Sequence, residues 1–128
     1  PLIMKEWVKP GTHINAIGAD AEGKQELDPE LLRSSIVVVD DILQASHSGE
    51  INVPLTKHII TKSDIRGTLG DILTKKIQGR RTSSEISIFD STGLAVQDLS
   101  SASHVFLEVK KIIEETGKVP DGVSLLPF

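Results

Sequence analysis

SSIVVVDD, Ser34 to Asp41, is the stretch whose reading decides the fold. Ile36 to Val39 are four β-branched residues in a row, without the polar alternation of a strand that faces water on one side. A continuous run of that kind suits a strand buried on both faces, as in a parallel sheet covered by helices. Working outward, further strands are expected at Leu2–Met4, His13–Ile17 and Glu85–Phe89, with the central one over Ile36–Asp40. Ahead of the central strand, Asp28-Pro29-Glu30-Leu31-Leu32 reads as a helix start, an N-cap aspartate before a proline at the first helical position. A second helix is expected from Ser63 or Asp64 to about Gln78. Ile65, Leu69, Ile72, Leu73 and Ile77 lie on one face of it and Gly79 stops it.

The longest helix spans Gly93 to Thr116. Ala95, Leu99, Ala102, Phe106, Val109 and Ile113 recur at alternating spacings of four and three, and Gly117 stands at C′. Such a seam needs a substantial partner. After it, KVPDGVSLLPF carries Val123, Leu125, Leu126 and Phe128, a tail whose apolar residues are expected to dock on another segment or a second subunit. Strand–helix alternation with right-handed crossovers gives an α/β, doubly wound, mainly parallel sheet flanked by helices. Ligands gather at the C-terminal strand ends of such sheets. Three ends therefore matter: Gly18-Ala19-Asp20, Asp40-Asp41 and Asp90-Ser91-Thr92-Gly93, which share a rim if the strands are parallel. The last also opens the long helix, whose first N–H groups are suited to an amide carbonyl or an anion.

Composition removes several classes of function. The chain has 128 residues, enough for one domain, with 14 basic against 18 acidic residues and a net charge of -4. Its basic runs do not exceed the pairs Lys75-Lys76, Arg80-Arg81 and Lys110-Lys111, and its aromatics are Trp7, Phe89, Phe106 and Phe128. Neither a nucleic-acid footprint nor a base-stacking platform is expected. Cysteine is absent, which excludes disulfides, zinc–thiolate sites and cysteine nucleophiles and fits a cytoplasmic protein. Apolar runs fall far short of the roughly 20 residues of a membrane span. The start Pro-Leu-Ile-Met lacks an initiator methionine in first place, as a cut or processed end would.

Among single residues, Asp20 reads either as a turn aspartate or as a general base or substrate-ammonium partner at the rim. Gly18 and Gly23 flank it in a loop a ligand could lie on. Lys24 reads as a solvated lysine or a donor to a cofactor, Ser91 as a helix N-cap that could also touch a ligand, and His13 as a core histidine. His47, His58 and His104 have no metal-ligand spacing, so no metal is expected. GxGxxG, GxxxxGK[ST] and GxSxG are all absent.

Three segments in register carry a likeness: GTHINAIGADAEGKQELD (Gly11 to Asp28), VVVDD with GEINV (Val37 to Asp41, Gly49 to Val53), and IFDSTGLAVQD (Ile88 to Asp98). Together they resemble the C-terminal part of the ornithine cyclodeaminase/mu-crystallin family, nearest to its archaeal-type alanine dehydrogenases, over most of residues 5 to 110. The resemblance implies a two-domain enzyme using NAD, with NADP as the alternative. It would be a homodimer that acts on the Cα–N bond of a small amino-acid substrate by hydride transfer. Residues 1–92 would be the C-terminal half of an NAD(P)-binding Rossmann-like domain. Residues 93–128 would be the long helix and tail that return to a substrate and dimerisation domain. The family's phosphate-binding loop and catalytic lysine and arginines would precede Pro1, so the chain alone is expected to be an inactive fragment.

The same resemblance matches Asp20 to the catalytic aspartate near the substrate nitrogen and nicotinamide C4, where the mu-crystallin branch commonly carries serine. It matches Lys24 and Ser91 to positions bordering the nicotinamide carboxamide, and Asn15, Ile17 and Gly18 to the strand end beside the ring. Asp90, Thr92 and Gly93 complete the motif, while Asp28, Asp40 and Glu50 read as a cap and structural polar contacts. Ornithine cyclodeaminase is the alternative activity. A non-catalytic binding or assembly module is the alternative of another class.

Overall fold

The computed structural model describes residues 1–124. Leu125, Leu126 and Phe128, expected to dock, lie outside the described residues. Along the chain come β1 (His13–Ala16), α1 (Pro29–Arg33), β2 (Ile36–Val39), α2 (Ile42–Ser48), α3 (Asn52–Thr56), β3 (Ile65–Thr68), α4 (Leu69–Leu73), β4 (Ser87–Asp90) and α5 (Ala95–Thr116). Contacts divide the chain into two units, one of residues Pro1–Gly93 and one beginning at Leu94.

In the first unit the sheet order is β1-β4-β2-β3 and every pairing is parallel. Ile14, Ile88 and Val37 lie abreast, as do Ala16, Asp90 and Val39, so the C-terminal strand ends share one rim. One sheet face presents Ala16, Val37, Val39 and Ile88 to Leu27, to Leu31 and Leu32 of α1, to Ala45 of α2, and to Ile51 and Ile60. Burying each such Leu or Ile is worth roughly 1.5–3 kcal/mol. Asp28 fixes the start of α1 by accepting the Glu30 N–H at 3.0 Å. All four residues of β2 are buried, as its unbroken β-branched run requires.

Three local expectations are corrected. Leu2–Met4 forms no sheet strand; Ile3 makes an isolated parallel bridge to Leu27. The helix expected over 63–78 is instead a strand and a short helix, β3 and α4. Gly67 sits at φ 145°, a conformation a helix does not contain, and a Cβ there would meet Ile77 Cδ1 at 2.6 Å. The Thr68 hydroxyl accepts the Asp71 N–H while the Asp71 carboxylate accepts the Thr68 N–H, a reciprocal cap that starts α4 late. Lys75 at φ 60°, not Gly79, ends it. In addition, α2 and α3 form where no helix was expected.

In the second unit, α5 begins two residues later than read, behind Leu94, and stops at Gly117, whose φ is 67°. Leu99 and Phe106 of its seam are exposed, while Val109 and Ile113 are half-buried. Ala102, Phe106, Val109 and Ile113 line a groove of about 810 Å³ together with Val123.

Candidate active site

The rim is built where β1 runs out. Ala16 accepts the Ser91 N–H at 2.9 Å, which ties the end of β4 to the end of β1. Ile17 follows with its side chain 67% exposed, then Gly18, whose N–H donates to the Glu26 carboxylate at 2.8 Å. A Cβ at Gly18 would overlap that carboxylate, so a side chain here would displace the Glu26 carboxyl from the Gly18 N–H. Between them the chain forms a loop. The Lys24 N–H donates to the Ala21 carbonyl at 3.1 Å, and Gly23 takes φ 80° to close the turn. This turn brings the Lys24 ammonium onto Asp20 Oδ1, and both side chains are exposed. The hydrogen bond and positive charge of Lys24 hold the Asp20 carboxyl below its ordinary value. Asp20 is an ionised carboxylate at neutral pH, already paired with the ammonium of Lys24.

Asp40, at the end of β2, accepts the Thr92 N–H at 2.6 Å, the Gly93 N–H at 3.1 Å and the Thr92 hydroxyl at 2.8 Å. These N–H groups precede α5, whose own first N–H groups follow Leu94. Ser91 does not cap α5, because the N-cap position belongs to Leu94, which offers no side-chain cap.

Two carboxylates lie beneath the rim, Glu50 at 0% and Asp90 at 1% exposure. Glu50 accepts the Leu27 N–H at 2.7 Å and the Glu26 N–H at 3.0 and 3.1 Å; burial nonetheless pushes it up to about 7. Asp90 Oδ2 accepts the Ile51 N–H at 3.2 Å, Oδ1 has no partner among the described residues, and burial pushes this carboxyl up to about 6. Gly49 leaves room for it. A Cβ at Gly49 would lie 2.6 Å from Asp90 Oδ2 and 2.9 Å from the Ala45 Cα, and neither can move aside cheaply. Gly49→Ala is expected to cost about 1–3 kcal/mol. A urea midpoint equal to that of the wild type would show that the packing is looser than this.

The opposite sheet face is more open. His13, read as a core histidine, is exposed there; its ring pairs with the Ser87 hydroxyl at 2.8 Å and with Asn15 Oδ1 at 3.2 Å. Histidine fits because this face of β1 borders a groove of about 530 Å³, shared with Val38 and Phe89, rather than the core. Ile17, Gly18 and Ser91 thus meet at the rim, and Asp20 and Lys24 meet on the loop that leaves it. The Asn15 side chain is engaged with His13. Among the described residues no cluster of three His, Asp or Glu side chains could hold a metal, and no helix is long and apolar enough to cross a membrane.

One buried residue escaped the sequence reading. Asn52, 3% exposed, accepts the Gly23 N–H at 3.1 Å and donates to the carbonyls of Lys24 at 3.3 Å and Gly49 at 2.6 Å. Its only signal in the sequence is an amide inside the apolar run INVPL.

Known proteins resemble the chain in sequence and in fold. The model of the ornithine cyclodeaminase/mu-crystallin family matches residues 1–112. The chain is 52% identical over 106 residues to an alanine dehydrogenase from Archaeoglobus fulgidus, covering 83% of this chain and 33% of that protein. It superposes with a TM-score of 0.82 and 46% identity on an archaeal alanine dehydrogenase dimer with bound NAD, over 96% of this chain and 38% of the other. A Thermococcus litoralis Δ1-pyrroline-2-carboxylate reductase in complex with NADH and L-proline gives a TM-score of 0.80 at 33% identity, over 94% and 36%. The chain spans about a third of the length of the curated relatives it matches.

Proposed function

The chain belongs to the ornithine cyclodeaminase/mu-crystallin family, and from that premise we propose that it is the C-terminal part of an NAD-dependent alanine dehydrogenase. The overall reaction would be L-alanine, NAD+ and water giving pyruvate, ammonium, NADH and a proton. Its place would be the cytoplasm and its assembly a homodimer. The observation that carries the reading is the ionised Asp20, paired with Lys24 on a loop at the C-terminal rim of a wholly parallel sheet. Support for the substrate and cofactor comes from the likeness to the Archaeoglobus fulgidus enzyme and to the NAD-bound archaeal dimer.

The residues at the rim fit the nicotinamide end of such a cofactor. Ile17 offers an exposed apolar side chain, Gly18 an exposed backbone without a side chain, and Ser91 a half-buried residue bonded to the same strand end. Bound NAD supplies the hydride acceptor. Asp20 would take a proton from the substrate ammonium as hydride leaves Cα, or from the water that then adds to the resulting imine carbon. Lys24 pairs with the carboxylate before substrate arrives and would be free to donate to a carboxamide oxygen once it lets Asp20 go. Asn15, bonded to His13, would contribute through its strand backbone. The apolar seam of α5, with Leu99 and Phe106 exposed, supports a role for residues 93–128 in reaching a substrate and dimerisation domain.

The test is product analysis on the intact protein. With L-alanine and NAD+ it should form pyruvate, ammonium and NADH in equal amounts. Proline and ammonium from L-ornithine, with no net NADH, would make it a cyclodeaminase instead. Turnover of neither would reject both activities.

A further inference from the structure

We propose that Glu50 and Asn52 are positioning residues that hold the Asp20 loop in register with the strand-end rim. This rests on the reading of Asp20 as the proton acceptor and names what fixes it in place. Asp20 and Lys24 are exposed, so the core does not pack them into position. What fixes the loop is a pair of buried polar side chains two residues apart. Glu50 takes the N–H groups of Glu26 and Leu27 where the loop returns to the core. Asn52 grips the turn itself, taking the Gly23 N–H and giving its own N–H to the Lys24 carbonyl. The Glu26 side chain closes the ring by accepting the Gly18 N–H at the loop's other end. Ala19, between Gly18 and Asp20, is itself buried at 2% exposure.

The cost of this arrangement argues that it is not incidental. A carboxyl at 0% exposure with no ion pair among the described residues is expensive to bury in its charged form. Among the described residues, every hydrogen bond that Glu50 accepts comes from the loop's return to the core, and the Asn52 amide divides its bonds between the turn and the Gly49 carbonyl of its own segment. An apolar pair would fill the same space but leave those loop N–H groups unpaired. A displacement near 1 Å of a catalytic group can cost on the order of 100-fold in rate.

The intact protein is compared with its Glu50→Leu, Glu50→Gln and Asn52→Ala variants. In Glu50→Leu and Asn52→Ala, amide exchange at Gly23, Glu26 and Leu27 should accelerate about tenfold or more while Val37–Val39 and Ile88 stay protected. In the same two variants kcat should fall about tenfold or more with the KM for NAD+ changed less than about threefold. Glu50→Gln keeps an acceptor oxygen for both N–H groups and should restore most of the exchange protection and turnover. Unchanged loop exchange in both disruptive variants overturns the proposal, as does fast exchange with wild-type kcat. Full turnover in Asp20→Asn removes the catalytic reading of Asp20 instead, a failure seen in a protein whose Glu50 and Asn52 are intact.

Discussion

Asp20→Asn in the intact protein is expected to lower kcat by about 10²–10⁴-fold, the range that a positioned proton acceptor contributes. Asparagine keeps the size of the side chain and can still accept a hydrogen bond from Lys24, so the loop should hold its shape. What it loses is the charge and the ability to take a proton. The pattern of the loss separates the two functional roles open to this carboxylate. If Asp20 accepts a proton only as the transition state forms, kcat and kcat/KM for alanine fall together. If it merely binds the substrate ammonium, KM rises and kcat holds. Activity within about threefold of wild type would leave Asp20 a turn residue with a lysine beside it. Lys24→Met is the companion control. Removing the charge that holds the Asp20 carboxyl down should raise its pKa toward the ordinary 3.8, and the carboxylate remains ionised at neutral pH. Its effect on kcat should therefore be smaller than that of Asp20→Asn.

How far the sequence disclosed this site follows from which forces set each part. β2 was legible because four consecutive β-branched residues have few alternatives to a doubly buried strand. β3 was not, because Ile65, Leu69, Ile72 and Ile77 carry a helical period by coincidence while Gly67, at φ 145°, breaks the helix they imply. The reciprocal Thr68–Asp71 cap was the signal that could have corrected it. Similarly, Asp41 caps α2 by accepting the Gln44 N–H at 2.8 Å, but ILQASHS lacks a clean apolar stripe to follow the cap. α3 carries Pro54 within five residues and is held by burial of Asn52, Val53 and Pro54 rather than by propensity.

The polar framework was legible only in part, for a related reason. Asp28, Asp40 and Glu50 could be named as a cap and structural contacts, but not whom they contact. Asp40 reaches across 52 residues to Thr92, and Asn52 across 28 to Lys24. Such pairings depend on strand order, and β4 lies between β1 and β2 although it is last in sequence. The order also explains the Asp40 contacts: pairing β2 with β4 sets Val39 beside Asp90, which carries the Asp40 carboxylate to the Thr92 and Gly93 N–H groups.

The buried carboxylates give the other large effect, a protein whose stability should fall as pH rises through neutrality. Burial lifts Glu50 from 4.5 to about 7 and Asp90 from 3.8 to about 6 in the folded state. A carboxyl raised by folding binds its proton more tightly when folded, so its stabilising contribution is complete below the unfolded value and lost as pH climbs through the folded one. For Glu50 that window runs from about pH 4.5 to about pH 7, and for Asp90 from about pH 4 to about pH 6. Between about pH 5 and pH 8 the change at Glu50 alone corresponds to roughly 2–3 kcal/mol, taken at about 1.4 kcal/mol per pH unit. Asp20, Asp64, Asp71 and Glu85 are lowered, not raised, so their contributions are lost only as pH falls below the ordinary carboxylate range, outside this window. Glu50→Gln removes the titrating group but keeps an acceptor for Glu26 and Leu27. Its stability relative to wild type, from urea denaturation at the two pH values, should therefore improve by that same roughly 2–3 kcal/mol on going from pH 5 to pH 8. A difference that stays constant across the range would mean that Glu50 titrates at its ordinary value. The N–H groups of the Asp20 loop would then stabilise its charge fully, against the burial that surrounds it.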